Sequence, residues 1–371
     1  MATQQDNWEA VKALFEAALE QDAARRSSFL RERCQDASVC AEVERLLAEH
    51  DQAASFLSTA PLSDPVPDPA STTQELSVSQ VLAGRFRIIR FIAGGGMGEV
   101  YEADDQELRE RVAVKIIRPE ILAQPNAVAL FKREVHLARK VTHQNVCRIF
   151  DLFRHKPDGG NVQEETVFIS MELLCGKNLG SQLKEGGRMS VGDALPLVQQ
   201  MASALAAAHA VGIVHRDLKP GNVVLVPCED SPNGVRAVVT DFGLASRSVG
   251  TATSSSSTTQ SLTCDFSGTP AYMAPEQIEG RIATTASDIY ALGLVMYEMV
   301  SGERPFMGDT PISAALKRLS QAPIPPRTFH PELSPVWEKV ILRCLERDPS
   351  KRFAKVQDVC FALTTQHSES A

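Results

Sequence analysis

Between residues 7 and 57 apolar positions recur at helical spacing. Trp8, Val11, Leu14, Phe15 and Leu19 mark a first segment, and Phe29, Leu30 and Cys34 a second. Val43, Leu46 and Leu47 mark a third, before a short "AASFL". The pattern predicts a small helical bundle, marginal alone and in need of a partner surface. Residues 58–81 hold four prolines among Ser, Thr and Asp. They bury too little to offset their ordering entropy and read as a disordered linker. From residue 82 the texture changes. "RFRIIRFIAGGG" and "RVAVKII" alternate and are rich in β-branched residues, as strands flanking a hairpin are; "TVFISMELL" is a further strand. "AVALFKREVHLARKV" has helical periodicity. After residue 190 helices dominate, including "ALPLVQQMASALAAAHAVG", "SDIYALGLVMYEMVSG" and "SPVWEKVILRCLERD". A strand-rich lobe followed by a larger helical lobe is an α+β layout with a cleft between the two.

Composition narrows the class without naming a function. Hydrophobic residues make up 43% and charged residues 23%, as in ordinary globular chains. A formal charge of −8 argues against nucleic-acid binding, which favours a basic stripe. The eight cysteines show no C-x-x-C pair and no Cys/His zinc pattern, so they read as incidental thiols of a reducing cytoplasm. The polar start "MATQQDNWEA" lacks a signal-peptide core. The apolar stretch 289–300 contains Glu298 and is too short to cross a bilayer, so it reads as a buried helix. A soluble, cytoplasmic protein is expected. Residues 248–263, nearly all hydroxyl and small side chains, read as a mobile loop.

Phosphoryl transfer to an alcohol needs a carboxylate beside the acceptor, a cation near the moving group and an oxygen ligand for Mg²⁺. "HRDLKPGN" supplies Asp217, Lys219 and Asn222 for these needs, and Pro220 restrains the loop. Asp241, in "TDFGLA" after the apolar "RAVVT", is a second metal-ligand candidate. In "VAVK", strand alternation puts Ala113 and Lys115 on one face, with Glu134 of the following helix as the expected counter-ion.

Together these residues resemble the protein kinases, specifically the bacterial-type serine/threonine kinases. "GGGMGEV", "VAVK", "HRDLKPGN", "DFG", "GTPAYMAPE" and "SDIYALG" stand in family order over about residues 84–360. The resemblance implies a bilobal kinase fold over residues 82–365, after the helical region 1–57 and the linker 58–81 and before a tail 366–371. It also implies transfer of the ATP γ-phosphoryl to Ser/Thr hydroxyls of proteins, with Mg²⁺ or alternatively Mn²⁺. The glycine run would then be a phosphate lid formed by Ile92, Ala93, Gly94, Gly95, Gly96, Met97 and Gly98. Dinucleotide-binding glycines would instead lead into a helix. The family's G-x-G-x-x-G falls on Ala93, Gly95 and Gly98, so alanine replaces the first glycine. This is tolerable if Ala93 keeps a negative φ.

The same resemblance makes Met171 the gatekeeper of the adenine pocket, with Glu172 C=O and Leu174 N–H holding the base and Val100, Ala113 and Val224 enclosing it. It pairs Glu276 with Arg352 and lets Asp288 brace the catalytic loop. Lys219 and Thr269 favour Ser/Thr over Tyr acceptors. Arg216, preceding Asp217, marks kinases held off until the activation segment is phosphorylated, because a phosphate of about −2 charge gives that arginine a partner. Ser261 and Thr263 are the expected acceptors, modified in trans by a second copy in a transient homodimer. The alternative reading is a pseudokinase or scaffold acting through the N-terminal helices.

Overall fold

In the computed structural model the described residues are 76–122, 127–156, 165–242, 270–308 and 311–365, with 23–34 and scattered positions between 14 and 47. The chain divides into two compact units. Among the described residues, one comprises those up to 47 together with 306–308 and 311–321; the other comprises 76–122, 127–156, 165–242, 270–305 and 322–365. The first unit contains helix α1 (Ala23–Arg33). Leu30, Val39, Val43 and Leu47 are buried there, in keeping with the helical spacing.

The second unit opens with a six-stranded sheet. Its strands are β1 (Val81–Leu82), β2 (Phe86–Gly95), β3 (Gly98–Asp105), β4 (Glu110–Ile117), β5 (Ile149–His155) and β6 (Thr166–Met171), with helix α2 (Ala127–Ala138) between β4 and β5. The spatial order is β1-β2-β3-β4-β6-β5. Alternation along β4 divides the core. Val112 and Val114 face a cluster with Phe86, Ile88, Tyr101 and Phe168. Ile117 faces the other side, where Phe131 and Val135 of α2 pack with Val167 and Ile169. Contacts with the sheet begin before the expected boundary. Leu76 packs against the first cluster, and Ser79 N–H donates to the Ile88 carbonyl at 2.8 Å. Residues 76–81 therefore pack against the sheet and hydrogen-bond to it rather than belonging to the linker, because they have apolar surface and backbone groups to satisfy.

The helical part follows with β7 (Lys177–Asn178), α3 (Leu179–Gly186), α4 (Val191–Ala210), β8 (Val223–Pro227), β9 (Val235–Val239) and α5 (Thr285–Ser301). Then come α6 (Pro311–Ser320, in the first unit), α7 (Pro335–Cys344) and α8 (Val356–Thr365). Strands β7, β8 and β9 form a small antiparallel sheet. Helix α4 starts under the Ser190 side chain, which accepts from Asp193 N–H. It buries Leu197, Val198, Met201 and Leu205 against α5 and α8. From Ile289 to Tyr297 every residue of α5 is buried, so the apolar run is a core helix as its length suggested. Gly293 lets α7 approach: a Cβ there would lie 2.6 Å from Cys344 Cβ. Among the described residues no helix is long and apolar enough to cross a membrane.

Candidate active site

The glycine run forms the end of a hairpin. Gly95 pairs with Gly98, leaving Gly96 and Met97 as the turn, and the chain continues as strand rather than helix. Ala93 pairs with Val100 and is not among the residues with positive φ, so the missing glycine is accommodated. Gly98 is different: its φ is +151°, and a Cβ would meet the Ile116 carbonyl oxygen at 1.8 Å. Val100 pairs with Lys115, and Ala113 with Met171, which brings the lid strand, the lysine strand and the end of β6 side by side. Val224 lies in β8 opposite Val238. Past Met171, the Glu172 side chain turns to Arg236 at 2.7 Å. The Glu172 N–H donates to the Arg148 carbonyl, and its own carbonyl accepts from the Cys147 thiol at 3.8 Å. Leu174 follows in irregular chain before β7.

The catalytic-loop residues converge. Lys219 Nζ donates to Asp217 Oδ2 at 2.8 Å. A 3-10 turn at Pro220–Asn222 swings Asn222 back, so that its Nδ2 donates to the Asp217 carbonyl at 2.8 Å and to Oδ2 at 3.2 Å. With the amide nitrogen committed, Asn222 Oδ1 is the atom left for a ligand. The Asn222 carbonyl accepts from Thr240 N–H at 2.9 Å, which sets the residue before Asp241 against the same loop. An amide oxygen and an anionic carboxylate suit a hard divalent cation.

Asp288 braces this loop through its backbone. Asp288, wholly buried near the start of α5, accepts from His215 N–H at 2.8 Å and from Arg216 N–H at 2.9 Å. Its Oδ2 also meets His209 Nε2 at 2.7 Å. His215 is fully buried, reaches the Thr240 carbonyl at 2.9 Å and packs on Phe242. Glu276 and Arg352 form a buried double hydrogen bond at 2.8 Å each, and Ser287 Oγ adds a third to Glu276 at 2.7 Å. Burial works to raise the Glu276 pKa, but Arg352 and Ser287 prevail and hold it below the usual carboxylate range. His209, His215 and Gln277, whose amide donates to the Arg216 carbonyl at 2.9 Å, had no role assigned from sequence. Only the nearness of His209 and His215 to the catalytic motif could have singled them out.

One sequence expectation is overturned. Lys115 is not paired with Glu134. Its Nζ lies 2.6 Å from Asp241 Oδ1. Glu134 Oε1 takes Arg216 NH1 at 3.0 Å instead. Lys115 is almost completely buried, so it needs a nearby anion, and Asp241 supplies it. Burial pushes the Asp241 pKa up, but the Lys115 ammonium more than reverses this and keeps the group anionic. Arg216 and Asp241, one from each pair, have positive φ, 71° and 63°. Ser261 and Thr263 lie outside the described residues.

A family model of the protein kinase domain matches residues 86–362. The chain belongs to the protein kinase family. Its relatives include bacterial serine/threonine kinases. PknA of Mycobacterium tuberculosis (strain ATCC 25618 / H37Rv) is 38% identical over 276 residues, 74% of this chain and 60% of PknA. PrkC of Bacillus subtilis (strain 168) is 34% identical over 282 residues, 76% of this chain and 40% of PrkC. The crystal structure of the M. tuberculosis PknI kinase domain superposes with a TM-score of 0.59 at 26% identity, covering 78% of this chain and 99% of that one. The match therefore lies in the kinase domain, and the chain spans little more than half the length of PknA and less of PrkC.

Proposed function

We propose that the chain is an active protein serine/threonine kinase that transfers the γ-phosphoryl of ATP to Ser or Thr hydroxyls of proteins. The observation that carries this reading is the convergence of Asp217, Lys219 and Asn222 through hydrogen bonds of 2.8 Å, beside the Lys115–Asp241 pair. Asp217 orients the acceptor hydroxyl and takes its proton. Lys219, already on Asp217 Oδ2, neutralises charge on the transferring group. Lys115 is the phosphate-positioning cation, and Gly98 lets the lid backbone come close. Asn222 and Asp241 would hold Mg²⁺, or Mn²⁺ in its place, which neutralises the phosphate oxygens when bound. Val100, Ala113, Met171 and Val224 would enclose the adenine, and Glu172 C=O and Leu174 N–H would bind its edge.

This conformation is an off state in this reading. Arg216 occupies Glu134, the partner that Lys115 needs when it grips phosphates. Phosphorylation of the activation segment, at Thr263 or Ser261 and in trans by a second copy, would draw Arg216 away. A cytoplasmic setting fits this role. An assay with ATP and Mg²⁺ on wild type and Asp217→Asn, with mass spectrometry of the products, tests the activity. Loss of the base should lower transfer by about 10²–10⁴-fold; equal incorporation by both proteins would refute it. Phosphopeptide mapping of residues 244–268 tests the switch.

A further inference from the structure

The N-terminal unit holds two cysteines that its backbone crosses over one another. Cys34 follows the last residue of α1, and its N–H donates to the Leu30 carbonyl at 2.9 Å. Cys40 lies at the next helical positions, and its N–H donates to the Asp36 carbonyl at 3.0 Å. The thiols reverse this pairing. Cys34 Sγ reaches the Asp36 carbonyl at 3.2 Å, and Cys40 Sγ the Leu30 carbonyl at 3.8 Å. Each carbonyl thus gathers the backbone of one cysteine and the side chain of the other. Two residues that share both carbonyls, one through the backbone and the other through the thiol, lie close together. The Cys40 thiol is held protonated, its pKa pushed up to about 11, first by its hydrogen bond to Cys34, then by burial and by the charges of Cys34 and Glu44. Both residues are half-buried, and both are reduced.

This sets the pair apart from other thiols. Cys147 and Cys344 are buried, and burial drives their pKa values upward; Cys360 is pushed up to about 11 by burial alone. Among the described residues none of those three is hydrogen-bonded to another cysteine, whereas Cys34 and Cys40 meet across the five residues 35–39. The backbone crossing keeps them at close range, which disulfide geometry demands.

We propose that Cys34 and Cys40 form a reversible intramolecular disulfide, made by a hydroperoxide oxidant, that ties the end of α1 to the helical positions at Val39 and Cys40. The Cys34 thiolate attacks the peroxide O–O bond, giving a sulfenic acid on Cys34 and releasing hydroxide from hydrogen peroxide or the alkoxide from an organic hydroperoxide. The Cys40 thiol then attacks that sulfur, the S–O bond breaks, and water leaves with the thiol proton. Two electrons pass from the two sulfurs to the peroxide. A dithiol reductant reverses the change by exchange. The disulfide links positions whose neighbours Leu30, Val39 and Val43 form the buried core of this unit, so it restricts the unfolded ensemble of that unit.

The chain is well placed for a direct test. Trypsin cleaves after Arg33 and Arg45 and has no site between, so both cysteines fall on the single peptide 34–45. The full-length protein is titrated with hydrogen peroxide under native conditions, quenched with iodoacetamide, digested and analysed by mass spectrometry. The expected result is a peptide two hydrogens lighter and unalkylated, at peroxide doses that leave the exposed Cys175 still open to alkylation. Dithiothreitol before quenching should restore double alkylation. The proposal is overturned if peptide 34–45 carries two alkyl groups throughout the titration, if Cys175 is lost first, or if Cys34 appears linked to another cysteine or another chain.

Discussion

Gly98 shows how much one residue can settle. Its φ of +151° and the 1.8 Å approach of the Ile116 carbonyl to a Cβ leave no room for a side chain. Ala93, at the position where the family has its first glycine, sits in ordinary strand geometry opposite Val100. The two positions should therefore respond differently to substitution. Gly98→Ala must shift the lid against β4, storing about 1–3 kcal/mol of strain. At 1.4 kcal/mol per tenfold, nucleotide affinity should fall by about 5–150-fold. Ala93→Gly should leave it nearly unchanged. Nucleotide titration by calorimetry on both variants decides this; equal affinities, with folding intact by circular dichroism, would mean that the lid does not touch the phosphates. Arg216 and Asp241 carry the same kind of signal without glycine. Their φ values of 71° and 63° are conformations held by the surrounding structure, with Asp288 and Gln277 on the Arg216 backbone.

At the scale of elements, the turn at Pro275–Ile278 and the loop before α8 are joined by Glu276 and Arg352, with relative side-chain exposures of 4% and 0%. Removing one partner strands a buried charge, so Arg352→Ala should cost about 3–5 kcal/mol. The Glu276 pKa is depressed in the fold. Its contribution is thus fully present above the unfolded glutamate value of about 4.3 and is lost as pH falls through the lower folded value. Urea unfolding at pH 7 and again near pH 4 should show Glu276→Gln much weaker than wild type at pH 7, with the gap narrowing in acid. A gap that stays constant with pH would mean that the carboxylate charge is not what stabilises the joint. Asp105, held low by its hydrogen bonds from Arg85, contributes to acid sensitivity in both proteins and cancels in the difference. Elements of this kind were legible in the sequence. Alternation announced the strands, the solid apolar stretch of α5 announced a core helix, and the "MAPE" and "RDPSKRF" segments pointed to each other through resemblance. The order of the sheet was not legible, because β5 reaches the edge only by pairing beyond β6. Nor was the docking of Leu76 on the sheet, which depends on Tyr101 and the neighbouring cluster rather than on local composition.

Across the kinase unit, two cations and two anions can pair in two ways. The sequence points to Lys115 on Glu134 and leaves Arg216 awaiting a phosphate; the pairing found could not be read from spacing, because it depends on how the folded elements meet. The structure has Lys115 on Asp241 and Arg216 on Glu134, at 2.6 and 3.0 Å. The exchanged set, Lys115 on Glu134 with Asp241 released toward metal, requires a new anion for Arg216, whose side chain is 37% exposed and open to one. A phosphate on the activation segment is such an anion. If this exchange is the switch, its free energy of about 1–3 kcal/mol sets a rate ratio of about 5–150 between autophosphorylated and phosphatase-treated wild type. Arg216→Ala frees Glu134 without any phosphate, so its two preparations should have nearly equal rates, neither below that of dephosphorylated wild type. Glu134→Gln removes the destination of Lys115 and should be slow in both preparations. Initial rates on the four preparations of wild type and Arg216→Ala separate the ideas: a dephosphorylated wild type as fast as the phosphorylated one would show that the Arg216–Glu134 pair does not restrain the enzyme at all.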